Sequence, residues 1–365
     1  MGLKCGILGI TNTGKTTLFN CISETKVATS NFAFSTNKSN LGQVKVPDER
    51  LRKLDALIHS ARVMHTTVDI VDIPGLTKGS SKGEGVGNSF LADIRNCDAL
   101  IHVVRCFDDP NLPHIDTTIN PVRDRETIDL ELQVKDLDSI DKRIVKLEKG
   151  AKAGDKVSKH GLEVVTGIKA HLEDFQNVRS MHLTHEEEDH ISDLCLLTAK
   201  PVIYVCNVDE KSAVSGNAYS NRFVESLKGE KTETLIIAAK AESEIAELED
   251  PEDRLAFLAE LGLEEPGVNK LIRSAFSILN LEVFFTAGPK EVRAWTIRKG
   301  ATAPEAAGVI HSDLQRGFIR AEVIKYIDYI KYKTEAACRE AGKLMIEGKN
   351  YIVEDGDVLH IRFNV

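Results

Sequence analysis

No run of about 18 apolar residues, the length a helical membrane span requires, occurs in this chain, and its first residues lead straight into a strand-like segment. The two absences speak against a membrane helix and against an export signal. A basic excess is missing too: 47 Lys and Arg stand against 56 Asp and Glu, a formal net charge of −9. That balance excludes a wholly basic nucleic-acid coat, though not a local patch. The seven cysteines (5, 21, 97, 106, 195, 206 and 338) never form C-x-x-C. An odd, scattered set in apolar surroundings predicts reduced core thiols in a cytoplasmic protein. Internal repeats and low-complexity tails are absent as well. What remains is 365 residues, 42% hydrophobic and 28% charged, long enough for two or three domains with real cores.

Residues 9–16 read Gly-Ile-Thr-Asn-Thr-Gly-Lys-Thr, a complete G-x-x-x-x-G-K-[ST] phosphate loop. An apolar run (Leu3, Ile7, Leu8) precedes it and a helix-like stretch (Thr17, Leu18, Phe19, Ile22) follows. Such a loop needs this strand–loop–helix context, because backbone N–H groups and the helix N-terminus together cradle phosphate oxygens. Lys15 is expected at the β- and γ-phosphates and Thr16 at Mg²⁺. Asn12, Thr13, Gly14 and Thr17 complete the expected nucleotide contacts.

The apolar run 68–71 leads into Asp72-Ile73-Pro74-Gly75, the D-x-x-G arrangement of nucleotide switches. Asp72 is expected to hold Mg²⁺ through its water shell, and Gly75 to offer its N–H to the γ-phosphate. Ras-type enzymes place a water-orienting Gln after that Gly; here the catalytic position is Leu76, which cannot hydrogen-bond. Low intrinsic turnover follows, unless another group positions the nucleophile. Asn12 either recruits a monovalent cation such as K⁺ for that purpose or only shapes the loop. Thr36, in the stretch 31–36, is the expected second hydroxyl ligand to Mg²⁺. Gly79, Gly83, Gly85 and Gly87 mark a second switch able to reorganise.

Base recognition is expected at Asn207-Val208-Asp209-Glu210, after a strand at 202–206. GTPases carry Asn-Lys-x-Asp here, the Asp carboxylate accepting two bonds from guanine. Val208 stands in the Lys position and the longer Glu210 in the Asp position. Adenine lacks those paired donors, while Asn207 can still engage its N6 and N7. The pattern therefore favours ATP over GTP. After the last strand, Ala238 replaces the leading Ser of a Ser-Ala-Lys loop, leaving only a backbone contact.

Further strands at 67–71, 99–104, 202–206 and 235–239, separated by amphipathic segments, predict a doubly wound, mostly parallel α/β sheet. Between 127 and 200 the chain is densely charged and proline-free, with Leu137, Ile140, Ile144 and Leu147 at three-four spacing. That stripe predicts a helical hairpin or coiled coil that turns around 150–161. The return helix is expected near 184–198, opened by a Thr184–Glu187 capping box. After about 280 the pattern predicts a small mixed β domain with strands at 281–286 and 318–324, another beginning at 296, and a helix at 303–309. A closing hairpin is expected through an Asp-Gly turn at 355–356. The resulting division is a nucleotide-binding domain over 1–126 and 201–279, a helical insertion over 127–200, and a terminal domain over 280–365.

His185 and His190 are five apart, not the four of a zinc H-E-x-x-H. Lys290, Arg293, Trp295, Arg298, Lys299 and His311 form a possible RNA-facing patch. From 281 to 365 there are 13 Lys and Arg against 12 Asp and Glu, a net of +1.

With these motifs in hand, the chain closely resembles the Obg-like ATPases of the YchF subfamily over essentially its whole length. The resemblance includes Lys78-Gly-Ser-Ser-Lys-Gly-Glu-Gly85, the run 285–295, Ala306-Ala-Gly-Val-Ile-His311 and the terminal Arg362-Phe-Asn-Val365. It implies a G domain, an inserted coiled coil and a C-terminal TGS domain of β-grasp fold. It also implies ATP in preference to GTP, slow hydrolysis with Leu76 in the catalytic Gln position, and association with the ribosome, chiefly its large subunit and rRNA. Ala33, Asn37 and Ser39 depart from the family's first-switch pattern N-[YF]-P-F-x-T-I-x-P. The expected protein is a Mg²⁺-dependent ATPase switch in the cytoplasm, with neither membrane nor sequence-specific DNA contacts. Two alternatives stay open: a ribosome- or RNA-binding module that uses ATP only as a conformational ligand, and a GTPase with degenerate base recognition.

Overall fold

A computed structural model of the chain describes residues 3–23, 39–75 and 86–364, with backbone only for 86–89. Its first seven strands are β1 (Lys4–Leu8), β2 (Asn40–Lys45), β3 (Val63–Met64), β4 (Thr67–Asp72), β5 (Ala99–Cys106), β6 (Val202–Val208) and β7 (Glu233–Ile237). Six of them form one sheet in the order β2-β4-β1-β5-β6-β7, with β1 parallel to β4 and β5, and β6 parallel to β5 and β7. Every residue of β5 and β6 is buried, which is why these strands read as mostly apolar runs. The parallel register brings the C-terminal ends of β1, β4, β5 and β6 to one edge, where ligands of open α/β sheets bind.

The helical insertion runs from Pro121–Lys152 to Lys156–Glu173. Asn120 caps the first helix, its Oδ1 accepting from Arg123 N at 3.3 Å. Asp155 caps the second, its Oδ2 accepting from Ser158 N at 3.0 Å. The turn is therefore only Ala153-Gly154-Asp155, and the return helix is not the segment near 184–198. Val164, Val165, Ile168 and Leu172 pack against Ile140, with Leu137, Ile144 and Leu147 half-buried beside them. The Thr184–Glu187 capping box does form, but it opens a helix of five residues, His185–Asp189.

The remaining strands are β8 (Leu281–Ala287), β9 (Val292–Arg298), β10 (Phe318–Lys325), β11 (Met345–Glu347) and β12 (Asp357–Phe363). They join β3 in a mixed sheet of order β11-β10-β12-β8-β9-β3. The helix Ala303–Ile310 presents Ala303, Ala306 and Ala307 to Phe284, Ile297, Val323 and Leu359. Two expectations change here. Thr296 lies near the end of β9, since Val292 to Arg298 all pair with β8. The Asp-Gly turn closes no hairpin, because β12 pairs with β10 and β8 while Ile352 bridges Thr302.

The chain divides into two compact units, residues 1–42 with 69–271, and residues 43–68 with 272–365. The stretch 43–68 thus groups with the C-terminal residues, and the helical hairpin with the first unit. The physical reason is specific. The helix Glu49–Ile58 buries Leu51 and Leu54 completely and packs on β8 and β9, and β3 pairs with β9. Arg50 then bridges Asp48 and Asp355, at 2.9 and 2.6 Å, and lies over the Phe285 ring.

Candidate nucleotide-binding site

The phosphate loop leaves β1 and ends in the helix Lys15–Ile22, with Gly14 as its N-cap in the left-handed conformation at φ 90°. A Cβ at Gly14 would collide with Asn207 Nδ2, so the position is closed to other residues on two counts. Lys15 is buried, and its Nζ donates to the Ile10 carbonyl at 2.6 Å. Burial lowers its pKa from 10.5 to about 8, against the pull of the Asp72 carboxylate. Thr13 is buried too, its hydroxyl donating to the same Ile10 carbonyl at 3.2 Å.

Thr16 and Asp72, 56 residues apart, meet directly: the Thr16 hydroxyl donates to Asp72 Oδ2 at 2.9 Å. Asp72 is 3% exposed, and its Oδ1 has no hydrogen-bond partner among the described residues. Burial raises its pKa even though Lys15 and the Thr16 hydroxyl both favour the anion. A buried carboxylate oxygen left unpaired beside a hydroxyl is a costly arrangement in isolation, and it fits a hard cation that takes oxygen ligands. Gly75 follows closely: a Cβ there would lie 3.0 Å from Thr11 Cγ2 and 3.1 Å from Lys15 Nζ.

Asn207, at the end of β6, is buried and uses both ends of its amide. Its Nδ2 donates to the Thr13 carbonyl at 2.9 Å, and its Oδ1 accepts from Ala239 N at 3.0 Å. One N–H and one lone pair remain for a ligand, but the bonds in place brace the phosphate loop against the start of the helix Ala239–Glu247. Ala238, just before that helix, is buried in the core. Val208 is buried as the last residue of β6, and Glu210 is exposed. Asp209 accepts from Ser212 Oγ at 3.0 Å and holds that turn. Thr17 is half-buried on the helix after the loop.

Asn12 takes a left-handed backbone at φ 61°, and its Nδ2 donates to the Pro113 carbonyl at 3.1 Å. The next residue, His114, was not legible as a site residue. Its Nε2 lies 2.9 Å from Asp124 Oδ2, while Nδ1 accepts from Asp116 N at 3.1 Å. Arg123 pairs with both Asp116 and Asp124, so this acidic group already has its cation. The other unforeseen residue is Arg105, a charged side chain near the end of an apolar strand. That mismatch was the signal available in the sequence. Thr36 and Leu76 lie outside the described residues.

A strand–loop–helix with Lys15, Thr16 and Asp72 converging at the end of a parallel sheet defines a P-loop nucleotide-binding protein of the G-domain type. A family model described as 50S ribosome-binding GTPase matches residues 4–149, and a YchF GTPase C-terminal model, described as a protein of unknown function, matches residues 281–364. The Ribosome-binding ATPase YchF of Pasteurella multocida is 49% identical over 365 residues, covering all of both chains. That of Bacillus subtilis is 46% identical over 367 residues, again across both whole chains. The solved Schizosaccharomyces pombe YchF GTPase superposes with a TM-score of 0.87 at 35% identity, covering 99% of this chain and 98% of that one. The chain belongs to the YchF family. Among the described residues no helix is long and apolar enough to cross a membrane.

Proposed function

We propose that this protein is a Mg²⁺-dependent ATPase that works as a slow nucleotide switch on the large ribosomal subunit in the cytoplasm. The observation that carries the reading is the unpaired, buried Asp72 Oδ1 beside the Thr16 hydroxyl and the Lys15 ammonium. Thr16 and Asp72 would hold Mg²⁺, Asp72 through water, with Thr36 as the further hydroxyl. When bound, that ion neutralises charge on the β- and γ-phosphate oxygens. Lys15 and the loop N–H groups, with the Gly75 N–H, stabilise charge developing as water attacks the γ-phosphorus in line. The new P–O bond forms as the bond to the β,γ-bridging oxygen breaks, ADP leaves with that electron pair, and the protons of the attacking water stay on the phosphate product or pass to solvent. Leu76 offers no hydrogen bond to the attacking water, which supports a low unassisted rate.

Preference for ATP rests on Val208 and Glu210, which do not reproduce the paired acceptors that guanine needs. For Asn12, the bond to Pro113 supports a loop-shaping role over recruitment of K⁺. Ribosome association is supported by the printed names of the relatives. In the C-terminal unit, proposed as the TGS domain, Arg362 and Arg320 reach the Glu322 carboxylate at 3.0 and 3.5 Å, and Arg339 lies 3.8 Å from Glu322 and 3.2 Å from Glu335, three guanidinium groups on two carboxylates. That excess of guanidinium suits rRNA phosphates. Turnover of ATP with separated ribosomal subunits tests the reading. Large subunits should stimulate hydrolysis and small subunits should not; equal or absent stimulation by both would refute the assigned partner.

A further inference from the structure

Arg105 is buried to 1% exposure and is the largest fully buried side chain among the described residues. Its guanidinium has no carboxylate hydrogen-bond partner there. Instead Nε donates to the Phe107 carbonyl at 3.1 Å, Nη1 to the Leu112 carbonyl at 2.9 Å and Nη2 to the Asp109 carbonyl at 3.3 Å. The Phe107 ring lies under it, 4.7 Å from centroid to Cζ. The planar fork reaches three carbonyls from three separate nitrogens, a spread that an ammonium with its donors on one atom does not reproduce. The nearby charges of Asp109, Asp108 and Asp124 favour the guanidinium, and its three bonds fix the path of the 107–112 segment.

That path meets the phosphate loop one residue further on. The Pro113 carbonyl accepts from Asn12 Nδ2 at 3.1 Å, and Asn12 holds a left-handed backbone inside the phosphate loop, a conformation that asparagine enters more readily than most residues and that this bond fixes in place. On the sheet, Arg105 stands opposite Asn207 in the β5–β6 register, and Asn207 grips the neighbouring loop residue, Thr13. Consecutive residues of the phosphate loop are thus held from the tips of adjacent strands. Thr13 is held directly from β6, and Asn12 by way of the segment that Arg105 organises. We propose that Arg105 is a positioning residue for ATP binding, acting through the 107–113 segment on Asn12. The proposal rests on the nucleotide-site reading given above.

A double-mutant cycle tests it on the full-length protein, with ATP dissociation constants measured for Arg105→Lys, Asn12→Ala and the pair, and a thermal melt for each. Arg105→Lys keeps the charge but not the fork. Losing one or two hydrogen bonds of ordinary strength, each single variant should weaken ATP binding about tenfold. Because both changes break one linkage, the double variant should be within about twofold of Asn12→Ala alone. Phe107→Leu, which removes the ring under the guanidinium, should weaken binding about threefold in the wild-type background and not in the Asn12→Ala background. It serves as the test should Arg105→Lys fail to fold. A merely structural Arg105 would lower the melting temperature with losses that multiply in the double variant, and that result overturns the proposal. Wild-type affinity in folded Arg105→Lys overturns it too. If Asn12→Ala alone leaves ATP affinity unchanged, the proposal fails; wild-type protein that does not bind ATP would instead overturn the nucleotide-site reading beneath it.

Discussion

Lys15 and Asp72 share one burial, and each is shifted toward its neutral form by it. For Lys15 this gives a definite pH dependence. Phosphate binding needs the ammonium, whose pKa in the folded chain is about 8, so ATP affinity should be flat below pH 7 and fall up to about tenfold per pH unit well above 8. Titrations between pH 6.5 and 9.5 check this, and a flat profile contradicts it. The same shift bears on stability. The unfolded chain, with an ordinary lysine pKa, binds more protons between about 8 and 10.5, so this group's contribution makes the free protein more stable as pH rises through that window. Asp72 has the opposite sign: its raised pKa makes ionisation costly in the folded state, so stability falls as pH rises through the carboxylate range. Asp72→Asn should therefore raise the melting temperature of the nucleotide-free protein, while abolishing Mg²⁺-dependent tightening of ATP. Unchanged Mg²⁺ dependence by calorimetry would remove Asp72 from the metal site. Lys15, Thr16 and Asp72 were legible because their spacing is tied to one loop and one strand end. The bracing bonds of Asn207 were not, since an amide at a strand end looks the same whether it reads a base or holds a loop.

Individual elements show what sets that legibility. The strands β5 and β6 were readable because burial on both faces leaves an apolar run. The return helix of the hairpin, Lys156–Glu173, was not. Its apolar stripe is interrupted by Gly161 and Gly167, while the stronger capping signal at Thr184 belongs to a helix of five residues. What fastens the hairpin to the sheet was equally hidden. Asp136, fully buried on the first helix, accepts from Leu197 N, Thr198 N and the Thr198 hydroxyl at 2.8, 2.8 and 2.7 Å, just before β6 begins. Asp136→Ala would leave three donors buried without their acceptor and should cost about 3–5 kcal/mol. Urea denaturation measures it; a loss below about 1 kcal/mol would show that the junction is held by other contacts.

At the scale of the molecule, a two-residue strand such as β3 carries no periodicity to read in the sequence. Residues 43–68 sit between the two switch stretches in sequence yet share a core with residues 272–365. A truncated protein ending at residue 280 should therefore not be a clean nucleotide-binding domain. It would expose Leu51 and Leu54, each worth about 1.5–3 kcal/mol of burial, and should bind a hydrophobic dye and melt with reduced cooperativity. A sharp melt without dye binding would show that 43–68 folds independently of the C-terminal sheet. The intact chain, lacking a glutamine at position 76, should turn over ATP without partners at about 10⁻⁴–10⁻² s⁻¹, and rapid turnover in a steady-state assay would contradict that.

The most direct measurement is a pair of calorimetric titrations of the purified full-length protein with Mg·ATP and Mg·GTP under identical conditions. Tighter binding of ATP, lost in Lys15→Ala, is the predicted result. Firm GTP binding with little or no response to ATP would contradict the account at its centre.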